Sequence, residues 1–325
     1  MSYGLPYQGS KNRIAKRLVE ALPAAPVLYD VFCGGCAVTH AAMLSGKYQR
    51  FVINDRRGWL PDAFRKAIHG GYAHEDRWIS REDFERLKST DAYAALCFSF
   101  GNDSRSYMYA RSLERYKRAL HYAIFWRDFA PWRELCPETT DALASGLASI
   151  EDRKQRRIQA GKFIVGSLRA QITAGTLTPD ILQKPIYRQI RRSKGAMTTV
   201  ETLQSLESLE RLQSLQSLIS LERLPGALTA HSGDYRELRF DEPGIIYCDP
   251  PYKDTIDHGE DYAVPFCHDE FYSWCEAQKL PVYISEYQMP EERFVCVAEW
   301  DKVTTMAAKT TNHVTERLWR PRTQL

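Results

Sequence analysis

Six consecutive residues, Tyr247-Cys248-Asp249-Pro250-Pro251-Tyr252, carry the clearest chemistry in the chain. The apolar run Gly244-Ile245-Ile246 before them reads as a buried strand. Two prolines end that strand abruptly, because neither donates to a ladder and the first restricts the residue before it. This leaves a carboxylate, carbonyls without neighbouring amide hydrogens and an aromatic ring at the carboxyl end of a strand. In open α/β sheets that is where ligands bind. A carboxylate and a main-chain carbonyl can accept hydrogen bonds from a planar amino group while a ring stacks on its plane.

A second group of candidates lies near the N-terminus. Val27-Leu28-Tyr29-Asp30-Val31-Phe32, Cys33-Gly34-Gly35-Cys36 and Ala37 to Leu44 read as strand, glycine turn and helix. The glycines allow close approach of backbone to a ligand, and a helix N-terminus favours a negative group. The strand Arg50-Phe51-Val52-Ile53-Asn54 ends at Asp55, 20 residues past Gly35, the separation at which nucleotide folds place a carboxylate on ribose hydroxyls. The dinucleotide fingerprint Gly-x-Gly-x-x-Gly is absent. Cys33 and Cys36 form a C-x-x-C, but no second such pair completes a tetrahedral zinc site, so they read as small residues in a tight turn. Ahead of them, Ser10 is placed to cap a helix whose apolar face is Ile14, Leu18 and Leu22.

The elements that must position these residues fit a chain of 325 residues with 44% apolar content, enough for one large or two modest domains. No apolar run reaches the length of a membrane span, and the N-terminus lacks the order of a signal peptide. The eight cysteines then read as reduced thiols and the chain as a cytoplasmic protein. Its net charge of +3 is too small to identify a partner, but its location is informative. Residues 151–195 hold eleven basic and three acidic residues, a net +8. With the polar loop around Arg105 and a basic helix carrying Arg111, Arg115, Lys117 and Arg118, and with Arg188, Arg191 and Arg192 further on, this region reads as a phosphate-contacting surface. Leucine recurs at every third position from Leu203 to Leu224, a period that fits neither a helix stripe nor a heptad. It reads as a low-complexity spacer bounded by Pro225-Gly226.

Asp249-Pro250-Pro251-Tyr252 resembles the catalytic motif of amino-group DNA methyltransferases, in particular the adenine-specific Dam-like branch. Tyr7-Gln8-Gly9-Ser10-Lys11 looks like the N-terminal cofactor motif of that family, and Asp30 to Cys36 resembles its Asp/Glu-x-Phe-x-Gly-x-Gly motif. Cys36 departs from the pattern, standing where the last glycine is usual. The resemblance covers roughly residues 3–60 and 227–320. It implies a Rossmann-like α/β methyltransferase sheet binding S-adenosylmethionine, interrupted by a mostly helical target-recognition insertion. The expected domains are a discontinuous catalytic domain, 1–72 with 225–325, the insertion at 73–200 and the spacer at 201–224. The implied cofactor residues are Tyr7, Lys11, Asp30, Phe32, Gly34, Gly35, Asp55 and, near the adenine, Asp234, with Asp249 beside the reacting centre. Lys309 to His313 resembles the polar loop before the last strand.

The implied reaction moves a methyl group from S-adenosylmethionine to the exocyclic amino nitrogen of adenine in double-stranded DNA. Asp249 and the Pro250 carbonyl accept the amino hydrogens, Pro251 shapes the turn, and Tyr252 stacks on a flipped base. The sulfonium leaving group is already good, so neither a covalent intermediate nor a metal is called for, and a monomer suffices. The same motif could serve the amino group of cytosine, or RNA. A non-catalytic DNA-binding relative is the alternative from another class. The recognition sequence and the existence of a partner endonuclease are not written in the chain.

Overall fold

The computed structural model describes residues 3–178, 180–187, 206–224, 226–252, 266–305 and 311–325. The chain divides into two compact units, Met1–Gly71 with Leu215–Leu325, and Tyr72–Ser214.

The first unit is a mixed α/β layer around a seven-stranded sheet. Its strands are β1 (Val27–Asp30), β2 (Arg50–Asp55), β3 (Ala227–Ser232), β4 (Gly244–Cys248), β5 (Val282–Glu286), β6 (Phe294–Thr305) and β7 (Thr311–Pro321). Their order across the sheet is β3-β2-β1-β4-β5-β7-β6. The first five are parallel, and β7 runs antiparallel to both β5 and β6. β1 and β4 are buried almost throughout, as continuous apolar runs in a parallel sheet covered on both faces should be. One core cluster joins Val27, Ile246, Val282, Ile284 and Trp319 of the sheet to Phe271 and Cys275 of a helix at His268–Ala277. Strand order reverses between β1 and β4, and it is this reversal that opens a crevice at the strands' carboxyl ends.

The helices α1 (Ala15–Ala21), α2 (Ala37–Ser45) and α3 (Trp59–Ile68) complete the N-terminal half of this unit. Ile14, Leu18 and Leu22 are buried, as their spacing predicts. Ser10 does not cap the helix, which begins at Ala15 after Ile14, with no side-chain cap. Residues 11–14 instead form a turn closed by hydrogen bonds from Ile14 and Ala15 to the Lys11 carbonyl at 2.9 and 2.8 Å.

The second unit is helical: α4 (Arg81–Leu87), α5 (Ala92–Cys97), α6 (Arg111–Trp126), α7 (Ala130–Leu135), α8 (Pro137–Leu147), α9 (Arg153–Thr173) and most of α10 (Glu207–Ser217). Ser80, Asp91 and Asp152 cap α4, α5 and α9 by accepting backbone N–H groups. Its core is aromatic, with Tyr93, Phe84, Phe98, Tyr116, Trp132 and Tyr187 fully buried. α8 and α9 approach closely at Gly146, where an added Cβ would lie 2.5 Å from the Phe163 ring.

The leucine triplet is helical in its described part, and Leu206, Leu209, Leu212, Leu215, Leu218 and Leu221 are all buried. A three-residue period drifts by about 60° per step on an α-helix. Leu209, Leu212 and Leu215 therefore span about 120°, the width of an ordinary apolar face. From Leu218 to Arg223 the backbone tightens to a 3-10 helix, in which every third side chain aligns. Changing helix type stops the winding before it turns a leucine to solvent.

Candidate active site

At the sheet's reversal point, Asp30 ends β1 opposite Tyr247 of β4, and Asp249 follows β4 directly. Asp30 is buried. The Thr39 hydroxyl donates to its Oδ2 at 2.5 Å, while among the described residues its Oδ1 has no hydrogen-bond partner. Burial raises its pKa to about 7, with the Thr39 bond opposing and Asp249 and Asp55 adding to the rise.

The glycine turn is held from three sides. Gly34 donates its N–H to Asp55 Oδ2 at 2.9 Å, and Arg57 N–H donates to Asp55 Oδ1 at 2.9 Å. Burial pushes the Asp55 carboxyl up and these two bonds pull it down, with a net rise. Above the turn lies the N-terminal leader. Leu5 N–H donates to the Gly35 carbonyl at 2.7 Å, and Gly4 N–H donates to His40 Nδ1 at 2.9 Å. Gly4 has φ +70, and a Cβ there would meet the Gly35 carbonyl oxygen at 2.2 Å, so only glycine passes. Tyr7 packs over Gly34 and Gly35, and its hydroxyl is held by Arg57. Cys36 sits in the left-handed region, φ 57 and ψ 31, which explains why glycine is usual there. Its thiol and that of Cys33 both approach the Gly34 carbonyl at 3.8 Å, and burial raises both pKa values.

Lys11, Asp249, Tyr252 and Glu316 meet in one cluster. Lys11 Nζ is 2.7 Å from Asp249 Oδ1 and 3.4 Å from Glu316 Oε1, and lies 4.6 Å from the centroid of the Tyr252 ring. The Tyr252 hydroxyl donates to Glu316 Oε1, and the ring meets Tyr287 edge-on at 4.6 Å. Burial lowers the Lys11 pKa, but the two carboxylates outweigh it and the net shift is upward, so Lys11 is an ammonium at neutral pH. Burial and the adjacent carboxylates push the Tyr252 hydroxyl well up. The late start of α1 matters here, because an extended strap and turn, rather than a helix, carries Lys11 to Asp249.

A cavity of ≈ 180 Å³ adjoins the cluster, lined among others by Phe32, Asp55, Asp234, Tyr235, Pro251 and Phe266. Asp234 accepts from Arg236 N at 3.0 Å and from its Nε and Nη2 at 2.8 Å, which holds its pKa down. The structure thus gathers Phe32, Asp55, Asp234 and Pro251 around one cavity. Tyr7, Gly34 and Gly35 form the adjoining turn, and Lys11, Asp249 and Tyr252 form the charged cluster. Glu316, Arg57 and Thr39 are partners that sequence reasoning did not pick out. Glu316 left one signal, an acid on the same face of its strand as the buried Leu318.

In the helical unit, Arg111, Arg115 and Arg118 lie at i, i+4 and i+7 on α6 and are exposed. Arg105 is half-buried in the loop before it. Lys117 faces inward, 3% exposed, and burial lowers its pKa to about 8, so it is not part of that surface. Several basic residues beyond α6 are engaged within the unit: Lys184 pairs with Glu138 at 2.9 Å, and Arg157 pairs with Glu210. Arg188, Arg191, Arg192, Lys309 and Thr310 lie outside the described residues.

A family model matches residues 7–127: D12 class N6 adenine-specific DNA methyltransferase. This supports a Dam-like adenine methyltransferase. The match takes in Tyr7, Lys11, the glycine turn, Asp55 and the whole of α6, and ends before Asp249. A search of curated proteins finds no match. The seven-stranded α/β sheet is consistent with such a methyltransferase, and the family implies DNA as substrate. Among the described residues, no group of His, Cys, Asp and Glu could hold a metal ion, and no helix is long and apolar enough to cross a membrane.

Proposed function

We propose that the chain is a site-specific DNA methyltransferase that transfers a methyl group from S-adenosylmethionine to the exocyclic amino group of adenine, on a base flipped out of the duplex. The observation that carries this reading is the fastening of Asp249 and Tyr252 by Lys11 at the sheet's reversal point, beside a cavity walled by aromatic rings and three carboxylates.

The residues fit the cofactor. Phe32, Tyr235 and Phe266 offer apolar walls for an adenine ring, and Asp55 has acceptor capacity beyond its two backbone bonds for ribose hydroxyls. The buried Oδ1 of Asp30, without a hydrogen-bond partner among the described residues, suits the cofactor's ammonium group. Bound there, S-adenosylmethionine would supply a methyl group on a sulfonium leaving group. Phe32 and Asp55 orient it, and the Gly34-Gly35 turn lets it come close to backbone.

Asp249 and the Pro250 carbonyl accept hydrogen bonds from the adenine amino group. This draws the nitrogen lone pair out of conjugation and toward the methyl group. Lys11 fixes the Asp249 carboxylate in direction, so the acceptor is already in place when positive charge develops on nitrogen. Tyr252 stacks on the flipped base, worth roughly 1–3 kcal/mol, against a flipping cost of a few kcal/mol. Arg111, Arg115 and Arg118 present three guanidinium groups on one helix face for backbone phosphates, with Arg105 nearby in sequence. The helical unit is then the target-recognition part and the sheet unit the catalytic part.

Methyl transfer from radiolabelled S-adenosylmethionine to mixed-sequence duplex DNA tests this reading, with Asp249→Ala alongside. Label in adenine that disappears in the variant is the expected result. Label in cytosine, or transfer to RNA in preference to DNA, would overturn the substrate assignment. Cofactor binding without any transfer would overturn the enzymatic one.

A further inference from the structure

Glu316 is 0% exposed, on a strand paired with β5 and β6. A buried carboxylate is costly unless it is partnered, and both named partners of this one belong to the candidate active site. We propose that Glu316 is a positioning residue for methyl transfer: it holds the Tyr252 hydroxyl and the Lys11 ammonium together, and so fixes the stacking ring relative to the Asp249 carboxylate. The inference rests on the function proposed above.

The geometry supports a positioning role and not direct contact with the base. Tyr252 follows two prolines in a loop, and a ring in that place needs more than its own rotamer preference to stay in one plane. Three contacts fix it: the hydroxyl on Glu316, the edge against Tyr287 and the Lys11 ammonium over its face. The Tyr287 edge alone leaves the ring able to tilt, while the hydroxyl bond ties its far end to a strand. Strand β7 is itself well anchored next to Glu316. Leu318 is buried, the Trp319 indole N–H donates to the Glu286 carbonyl at 3.0 Å, and Arg317 donates to the Tyr287 carbonyl at 2.6 Å. A site residue held by sheet positions is set more exactly than one held by a loop.

The same carboxylate also divides the attraction on Lys11. Its ammonium lies closer to Asp249, at 2.7 Å, than to Glu316, at 3.4 Å. With one cation in contact with two carboxylates, Lys11 is tethered to the Glu316 strand position as well as to Asp249. Glu316 thereby links the acceptor of the amino hydrogens to the platform that holds the base.

The test uses the full chain, with wild type, Glu316→Ala, Glu316→Gln and Tyr252→Phe compared in three measurements. These are single-turnover methyl transfer, cofactor affinity, and the fluorescence of 2-aminopurine placed at the mapped target adenine. Glu316→Ala should lower the transfer rate about 100-fold, the effect expected of a misplacement near 1 Å. Cofactor affinity should stay within about 3-fold, since Glu316 does not line the cavity. Fluorescence of the flipped base should rise as its stacking loosens, and Tyr252→Phe should reproduce that rise. Glu316→Gln, whose amide oxygen still accepts from Tyr252, should recover part of the rate. A Glu316→Ala rate within about 3-fold of wild type would overturn the proposal. So would a lost rate with 2-aminopurine fluorescence unchanged. If the alanine variant does not fold, the two volume-conserving variants decide, and wild-type rates in both would overturn it. Absence of transfer by the wild type itself is a different outcome, and refutes the proposed function instead.

Discussion

Replacing Lys11 by methionine removes a buried charge while keeping most of the side-chain volume. In the folded protein Lys11 lies 2.7 Å from Asp249 and 3.4 Å from Glu316, with side-chain exposures of 7%, 19% and 0%. At an effective dielectric near 20, a contact at 4 Å already has a Coulomb energy of about 4 kcal/mol, and desolvation of the three groups offsets much of the two shorter contacts. Breaking a buried pair by removing one partner leaves an uncompensated charge and destabilises by about 3–5 kcal/mol. Lys11→Met should therefore lose that amount at pH 7.5, measured by urea unfolding. The Lys11 pKa is raised in the fold, so its contribution is fully present below about 10.5 and is lost only as pH rises through the higher folded value. Between pH 4 and 8 the lysine itself adds no slope. Adding Glu316→Gln to Lys11→Met should recover a part of the loss at neutral pH, because one of the two stranded charges is gone. A double variant less stable than Lys11→Met would refute this electrostatic account and leave packing as the cause.

Three further outcomes can be checked directly. Asp30 has its pKa raised from 3.8 to about 7, so its contribution to stability declines as pH rises across that window; Asp30→Asn should flatten that part of the stability curve, and an unchanged slope would refute the burial argument. Cys36→Gly relieves a left-handed residue worth roughly 1–2 kcal/mol, and loses roughly 0.5–1 kcal/mol of chain entropy and a buried thiol of similar value, so unfolding stability should stay within about 1 kcal/mol of wild type. A loss above about 3 kcal/mol would mean that the thiol packs in a way glycine cannot replace. Changing Arg111, Arg115 and Arg118 together to alanine should reduce the salt slope of DNA binding by about 2.7, at about 0.9 per phosphate, while Lys117→Met leaves it unchanged because that side chain is buried; equal slopes in wild type and the triple variant would sink the phosphate assignment.

The strands that position the site were legible because parallel strands buried on both faces are written as short apolar runs. Val27 to Asp30, Gly244 to Cys248 and Val282 to Glu286 stand out in that way. The motif residues were legible because their chemistry is local: two prolines stop β4 where its carboxylate is needed, and two glycines leave room at a turn. The start of α1 was misread because a capping serine is a weak signal beside the pull of tertiary ion pairs on Lys11. The face of Lys117 was misread because a count of basic residues does not say which way a helix is turned. Arg111, Arg115 and Arg118 share one side of α6, and Lys117 is turned away from it by one residue.

By itself the sequence determined which segments alternate as strand and helix in the sheet unit, and which acids and rings end up at strand ends, since these depend on neighbours in the chain. Only the tertiary structure decided that Glu316 meets Lys11, far away in the chain, and through it Asp249. It also decided that a leucine every third residue could be buried from Leu206 to Leu221, by passing from α-helix to 3-10 helix. Both depend on which surfaces meet, and burial of a charge or an odd period is settled by the partner that covers it, not by the residues alongside it in the chain.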